Sequence, residues 1–154
     1  MFGKLTRFLR MFGYDTVYAN DLEEFFELSP VPDHKLIDYA KKNERIIITK
    51  DLSLHKIFEE RSVHLKGEGL YNYLNQLNKK LNLNFNFKIE QARCSICNSE
   101  LKKVKDKDFI KDLVLEETFK HYNEFYQCLN PHCKKIYWEG SHVLDIKSRL
   151  AKRL

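Results

Sequence analysis

Glycine and proline are scarce in this chain, with five glycines and three prolines among 154 residues. This composition, with 43% apolar residues, excludes a disordered chain and allows a hydrophobic core. No apolar run approaches the length that spans a membrane. Met1 is followed at once by Lys4, Arg7 and Arg10, without the apolar core or cleavage site of an export signal. We therefore predict a folded cytoplasmic protein with no membrane segment.

Cysteine is also rare, and its positions are informative. The four cysteines form two close pairs thirty residues apart, Cys94 with Cys97 and Cys128 with Cys133. Two such pairs are typical of two knuckles that hold one tetrahedral zinc ion. The alternatives are two disulfides, which require an oxidising compartment, or four buried thiols. Four thiolates would leave no open position on the zinc, so we predict a structural ion, with His132 beside it as a bystander or a donor to the ligands.

Basic residues are concentrated at both ends of the chain, and the net charge is +5. The first fourteen residues contain no acidic residue, and the last eight contain Lys147, Arg149, Lys152 and Arg153. Such ends are suited to contact a polyanion, although ordinary solvated helix faces have the same composition. Charge alone therefore leaves both interpretations open.

The hydrophobic pattern predicts alternating helices and strands over the first ninety residues. Apolar periodicity and turn residues predict helices over 2–12, 33–40, 51–58 and 70–81, and strands over 16–18, 45–49 and 63–65. The continuous apolar run 45–49 is typical of a strand buried on both faces of a parallel sheet. We predict a three-layer α/β domain over residues 1–90, which begins with a helix and therefore lacks the strand that should precede it.

The remaining residues, 91–154, are predicted to form a small zinc ribbon with a basic C-terminal helix. The segments Phe125–Gln127 and Ile136–Trp138 flank the second cysteine pair and are predicted to form the two strands of a hairpin. Residues 145–154 are predicted to form the terminal helix.

Three aspartates lie where the predicted sheet should carry a site. Open α/β sheets bind their ligands beyond the carboxyl ends of the strands, and the candidates near that edge are Asp21, Asp33 and Asp51. Converging carboxylates can hold Mg²⁺ or Mn²⁺, which polarise a phosphate and activate a water. We consider all three as catalytic candidates, with Asp33 and Asp51 as ligands of the ion.

Other residues near this edge are candidate substrate contacts. Lys4, Arg7 and Arg10 would hold the substrate backbone, and Thr49 would supply a hydroxyl. The alternatives are structural: Asp33 and Asp51 stand where helix N-caps are expected, and Thr49 could simply fill the strand.

Several segments together resemble the Mut-seven C-terminal RNase domain family. They are Met-Phe-Gly-Lys-Leu-Thr-Arg-Phe-Leu-Arg-Met-Phe-Gly-Tyr-Asp-Thr (1–16), Ile-Ile-Ile-Thr-Lys-Asp (46–51), the two cysteine pairs, and Ile-Tyr-Trp-Glu-Gly-Ser-His (136–142). The resemblance implies a PIN-like nuclease domain with an appended zinc ribbon, and metal-dependent hydrolysis of RNA. It matches Asp51 to the acid of a Thr-Arg-Asp motif, with Lys50 in place of arginine, and Asp33 to the acid that begins the second helix. Lys4 and Arg7 match basic positions of the first helix.

The chain departs from this family at two places. The family has a strand ending in aspartate shortly before the motif at which this chain begins, which is the same strand that the topology lacks. We expect translation to start upstream of Met1, and without that strand one metal ligand would be missing and activity impaired. Residues 22–32 resemble an insertion, so that the alignment of Asp21 and Asp33 is open.

Two other functions are compatible with the sequence. The chain could be a non-catalytic module that binds RNA or associates with the ribosome, in which the aspartates cap helices and the basic helix and ribbon contact phosphates. Tyr137 and Trp138 could then stack on bases, or pack in the hairpin core. A protein-interaction adaptor that uses the acidic segment 21–27 is the third possibility. The sequence gives no oligomeric state.

Overall fold

The computed structural model describes residues 2–152, so Met1, Arg153 and Leu154 and the predictions that fall on them lie outside it. The chain forms two compact units. One, here called the ribbon unit, combines Gly3–Thr16 with the chain from Asn84 onward, and the other, the sheet unit, consists of Val17–Leu83 with Phe2. The boundary at residues 90 and 91 stays a prediction.

The sheet unit contains a small parallel sheet and four helices. Its helices are α2 (Glu23–Phe26), α3 (Asp33–Lys42), α4 (Leu52–Ile57) and α5 (Leu70–Leu81), and its strands are β1 (Ile47–Thr49) and β2 (Ser62–His64). A 3-10 turn, Ala19–Leu22, precedes α2. Strand β1 pairs in parallel with β2, in the register Ile47–Ser62, Ile48–Val63 and Thr49–His64. The predicted parallel pairing is therefore confirmed, and within residues 2–152 this sheet has two strands, so the three-layer arrangement stays a prediction.

The core of the sheet unit is formed by the faces that the helical periodicity predicts. Ile37 and Ala40 of α3 pack with Leu54 of α4 and with Phe58, which directly follows α4. Ile47 of β1 lies against this cluster. Helix α5 buries Tyr73, Leu74 and Leu77, which lie on one face of the helix because they are spaced by one, three and four residues.

The ribbon unit combines an antiparallel sheet with three helices. The strands are β3 (Leu101–Lys103), β4 (Tyr126–Cys128) and β5 (Ile136–Tyr137), in the order β3-β4-β5. The helices are α1 (Gly3–Met11), α6 (Glu116–His121) and α7 (Ser141–Ala151). The predicted hairpin of β4 and β5 is confirmed, with Tyr126 opposite Tyr137. The core contains Ile110, Phe125 and Ile136, and Trp138 packs against it.

The predicted helix at the N-terminus and its end at Gly13 are confirmed. Gly13 has a φ of +90°, and the N–H groups of Gly13 and Tyr14 bond to the carbonyls of Arg10 and Leu9. This pattern is a Schellman cap, in which glycine is favoured because L-residues rarely adopt that φ. A Cβ atom at Gly13 would also lie 2.7 Å from the carbonyl oxygen of Gln91, so both conformation and space require glycine.

The predicted strand Thr16–Tyr18 is wrong. The N–H of Thr16 donates to the side-chain oxygen of Asn98 at 3.1 Å, and its carbonyl accepts from Nε of Arg10 at 2.8 Å. Because side chains of the ribbon unit satisfy this backbone, Thr16 needs no neighbouring strand. Asp21 consequently follows a coil and lies in the 3-10 turn.

Within the described residues, no helix is both long and apolar enough to cross a lipid bilayer.

The packing of α5 gives a stability prediction. Leu74 is fully buried, whereas Ile57 of α4 is 69% exposed. Leu74→Ala should lower the free energy of unfolding by about 2–5 kcal/mol through lost burial and a residual cavity. The control Ile57→Ala should change it by less than about 0.5 kcal/mol. Urea unfolding followed by circular dichroism measures both, and equal losses would contradict the assignment of the core.

Candidate metal centre and candidate catalytic residues

The first cysteine pair lies in a tight turn closed by backbone hydrogen bonds. The carbonyl of Cys94 accepts from the N–H of Asn98 at 2.9 Å, and the N–H of Cys94 donates to the carbonyl of Ser99 at 2.8 Å. Asn98, directly after Cys97, has a φ of +67°, a conformation that asparagine adopts more readily than most residues. The turn therefore directs both thiols to one side.

The second pair is held by the same kind of turn at the end of β4. The carbonyl of Asn130 accepts from the N–H groups of Cys133 and Lys134, both at 3.0 Å. Lys134 follows Cys133 with a φ of +50°, as Asn98 follows Cys97. The N–H of Cys128 donates to the carbonyl of Lys135 at 2.9 Å and closes the hairpin.

The four sulfur atoms converge. They all lie within 4.8 Å of one another, with 3.7 Å between Sγ of Cys94 and Cys133 and 3.4 Å between Sγ of Cys97 and Cys128. Around a tetrahedral zinc with Zn–S bonds near 2.3 Å, neighbouring sulfurs lie about 3.8 Å apart. A disulfide would require roughly 2.05 Å, and the four cysteines are free. The cysteines therefore fit a metal ion such as zinc, and the disulfide alternative is wrong.

A metal requires the thiolate form of its cysteine ligands, and the surroundings shift the pKa of these thiols in different directions. Burial raises the pKa of Cys97, but bonds with the side chain and backbone of Ser99 outweigh it and lower this pKa to about 6. Burial also raises the pKa of Cys128 and of Cys133. The centre therefore combines one thiol of lowered pKa with two of raised pKa, and a bound cation would favour the thiolate form of all of them.

Tyr137 orients the first pair. Its hydroxyl lies 3.1 Å from Sγ of Cys94 and accepts from the N–H of Ser95 at 3.0 Å. Burial and the contact with Cys94 raise the pKa of Tyr137, which stays a neutral donor. The Tyr137 hydroxyl is therefore bound to the first cysteine turn, and Trp138 packs against the core. Stacking of either ring on a base stays a prediction.

Arg10 attaches helix α1 to the first cysteine turn. Its side chain is buried, and Nη1 donates to the carbonyls of Ser95 at 3.2 Å and Ile96 at 2.8 Å, while its own carbonyl accepts from the N–H of Arg93 at 2.8 Å. Arg10 therefore holds the cysteine turn in place, and its buried guanidinium is engaged by the protein's own carbonyls rather than presented to a substrate. Lys4 and Arg7 are exposed one turn apart on α1, as the predicted contacts require.

Asp51 follows the carboxyl end of β1 and caps α4. Its Oδ1 accepts from the N–H groups of Ser53 at 2.7 Å and Leu54 at 3.0 Å, and its own N–H donates to the hydroxyl of Thr49 at 2.9 Å. The predicted cap is confirmed. Since both bonds use Oδ1, capping does not occupy Oδ2 of this exposed residue. Thr49 is buried and orients Asp51, and a substrate contact by Thr49 stays a prediction.

Lys50, beside Asp51, has an acidic partner. It forms an ion pair with Glu68, which also accepts from the hydroxyl of Tyr73 at 3.2 Å. The hydrogen bond with Glu68 raises the pKa of Lys50 and lowers that of Glu68. The lysine charge next to Asp51 is therefore balanced locally.

The other two aspartates, Asp21 and Asp33, are exposed, and neither belongs to a cluster of three or more possible metal ligands among the described residues. Asp33 is the first residue of α3, whose N-cap is Pro32, and Asp21 lies in the 3-10 turn before α2. Among residues 2–152, the one group of three or more potential ligands that could hold an ion is the cysteine quartet, and His132 is outside it. The three aspartates as catalytic residues, and Asp33 and Asp51 as ligands of Mg²⁺ or Mn²⁺, stay predictions.

Sequence reasoning missed the supporting residues of the metal centre. Tyr137 and Arg10 act through long-range contacts that leave no periodic pattern in the sequence. A signal existed at Asn98, since asparagine directly after a cysteine pair is compatible with a left-handed turn.

Comparison with known proteins gives the family. Searches of curated proteins and of solved structures found no match. The family model described as the Mut7-C RNAse domain matches residues 1–150, nearly the whole chain. The resemblance carried by the N-terminal segment, the Thr-Lys-Asp end of β1 and the two cysteine pairs is thereby confirmed: the chain belongs to the Mut7-C RNAse domain family.

Proposed function

We propose that this protein is a metal-dependent endoribonuclease that hydrolyses phosphodiester bonds of single-stranded RNA. The observation that carries the proposal is the match to an RNAse domain over residues 1–150. Asp51 supports it, because an exposed carboxylate after the carboxyl end of a parallel strand is where α/β folds place catalytic groups. The sheet unit would be a reduced form of the PIN-like three-layer domain.

In this proposal Asp51 is the central catalytic residue. Its backbone is fixed by the hydroxyl of Thr49 and its Oδ1 by the cap of α4, so that Oδ2 has a defined direction. Mg²⁺ or Mn²⁺, when bound, would supply polarisation of the phosphate and an activated water. Asp33 and Asp51 would be ligands of this ion, and Asp21 would be a further catalytic residue. Among the described residues the three aspartates do not form one close group.

RNA would be held by basic side chains of the ribbon unit. Lys4 and Arg7 are exposed at positions i and i+3 of α1 and therefore lie on the same face. Helix α1 has no acidic residue, so these charges are not balanced within it. Phosphate contacts of this type give affinity without sequence preference.

The cysteine quartet would bind structural zinc. Four thiolates fill a tetrahedral shell and leave no position for a water, so this ion would stabilise the ribbon unit and take no part in hydrolysis. The chemistry and the structural metal would thus belong to different units.

A non-catalytic RNA-binding protein is the second candidate. The observation that favours it is the N-cap bond pair of Asp51, which gives this aspartate a structural reason to be present. Activity measurements on one variant separate the two candidates.

The variant is Asp51→Asn. We expect Mn²⁺-dependent cleavage of single-stranded RNA to fall at least about 100-fold, because an amide cannot replace a charged metal ligand or base. Stability should be unchanged, since asparagine is as good an N-cap as aspartate. Cleavage is measured with a fluorescent oligonucleotide, and Asp38→Asn, an exposed aspartate of α3, is the control that should retain activity. An inactive wild type that binds RNA would instead establish the non-catalytic function.

Removal of the zinc should disorder one unit. We expect one zinc per chain by elemental analysis, lost in Cys128→Ser and retained in His132→Ala, since His132 is not in the quartet.

Chelation should abolish hydrogen-exchange protection across residues 93–140 and at the end of α1, because Arg10 bonds to the first cysteine turn. Protection in β1, β2 and α5 should persist. Simultaneous loss of protection in both units would argue against independent stabilisation.

A further inference from the structure

The ribbon unit contains a groove that the proposed catalytic residues do not use. It has a volume of about 410 Å³, which is within the roughly 300–1,000 Å³ typical of ligand sites. Strand β3 and the segment after it form one side, and the end of β4 with the residue that follows forms the other. Its lining includes Lys102, Lys105, Phe109, Gln127 and Leu129.

An aromatic ring is displayed in this groove. Phe109 is 82% exposed, although the next residue, Ile110, is almost completely buried against Phe125 and Ile136. Asp106 caps the 3-10 segment Lys107–Leu113 by accepting from the N–H of Asp108 at 3.0 Å. The backbone is therefore anchored on both sides of Phe109, so that its exposure is a fixed feature.

The groove is also basic. Residues 102–111 contain five lysines and two aspartates. Lys103 forms an ion pair with Glu124, whereas Lys102 and Lys105, which are exposed, form none among the residues that the structure describes. Lys102 and Lys105 thus line the groove without an ion-pair partner among the described residues, whereas the carboxylate of Asp106, which also lines the groove, caps the 3-10 segment.

We propose that this groove binds single-stranded RNA, with a base stacked on Phe109 and phosphates at Lys102 and Lys105. Single strands are the ligands that combine unstacked bases with a charged backbone, and proteins bind them through aromatic rings in basic grooves. A duplex would keep its bases stacked on one another, away from Phe109. A protein partner would match the apolar part of the groove lining but would have no general need for the two lysines that form no ion pair. The proposal rests on the proposed function and adds a place where the substrate is held.

Phe109→Ala tests the stacking. The background is zinc-loaded full-length Asp51→Asn protein, which should bind without cleaving, and the ligand is a fluorescein-labelled ten-nucleotide oligouridine. We expect the Kd to rise about tenfold for Phe109→Ala, because one base would lose its stacking partner. Phe109→Trp should leave the Kd unchanged, since tryptophan also offers an aromatic face. Leu115→Ala is the matched control, because Leu115 is 78% exposed in the same unit but does not line the groove.

Lys105→Gln tests the phosphate contact. Removing one contact should reduce the slope of log Kd against log salt concentration by about 0.7 for a single strand. Lys79→Gln, an exposed lysine of α5 in the sheet unit, should leave the slope unchanged. For an RNA duplex of the same length, Phe109→Ala should leave the Kd unchanged.

The outcomes separate this inference from the proposed function. If the background protein binds the oligonucleotide but Phe109→Ala and Leu115→Ala bind equally well, the groove is not the RNA site and a protein ligand becomes the better assignment. If Lys79→Gln changes the salt slope as much as Lys105→Gln does, the phosphate contact is overturned. If no RNA binds at all, the proposed function fails as well.

Discussion

The convergence of four sulfur atoms is the constraint on which the ribbon unit depends. The unit has a small apolar core, centred on Ile110, Phe125 and Ile136, and its strands are two or three residues long. Such short strands are marginal by themselves. Cysteine turns joined by one ion would hold β4, β5 and the segment around Cys94 in register. The hydroxyl of Tyr137 and the guanidinium of Arg10 form hydrogen bonds with the first cysteine turn. Segments that are distant in sequence are therefore connected through this one centre.

The two units illustrate different routes to a functional residue. In the ribbon unit the arrangement of the four cysteines fits one role, which is to hold a metal ion. In the sheet unit the proposed catalytic role of Asp51 is compatible with its role as an N-cap, because Oδ1 satisfies the first turn of α4 while the other oxygen is not used by the cap. The N-cap bonds hold the side chain of such a residue in one conformation, so that its carboxylate points in a fixed direction. A catalytic carboxylate requires the same fixed orientation.

The sequence was informative where a feature is local or periodic. Helix α1, the parallel pair β1 and β2, helix α5, the hairpin of β4 and β5 and the cysteine quartet follow from spacing, apolar periodicity and turn residues. The strand at Thr16–Tyr18 did not form, because Arg10 and Asn98 satisfy its backbone from far along the chain. The pattern does not predict strand β3, since Leu-Lys-Lys has no alternation and its partner β4 lies more than twenty residues further along the chain. Arg10 was assigned to the substrate by its charge, and only the tertiary structure reveals its three carbonyl partners.

The bonds between Arg10 and the carbonyls of Ser95 and Ile96 join residues 85 and 86 positions apart. Strands β1 and β2, by contrast, pair residues fifteen positions apart, such as Ile47 with Ser62. During synthesis from the N-terminus, helix α1 emerges before the sheet unit, yet two of the three carbonyl partners of the Arg10 side chain, Ser95 and Ile96, are made only after the whole of Val17–Leu83. Helix α1 therefore reaches these native contacts late, and the sheet unit, which lies between the two parts of the ribbon unit in sequence, has all of its own residues available before the ribbon unit does.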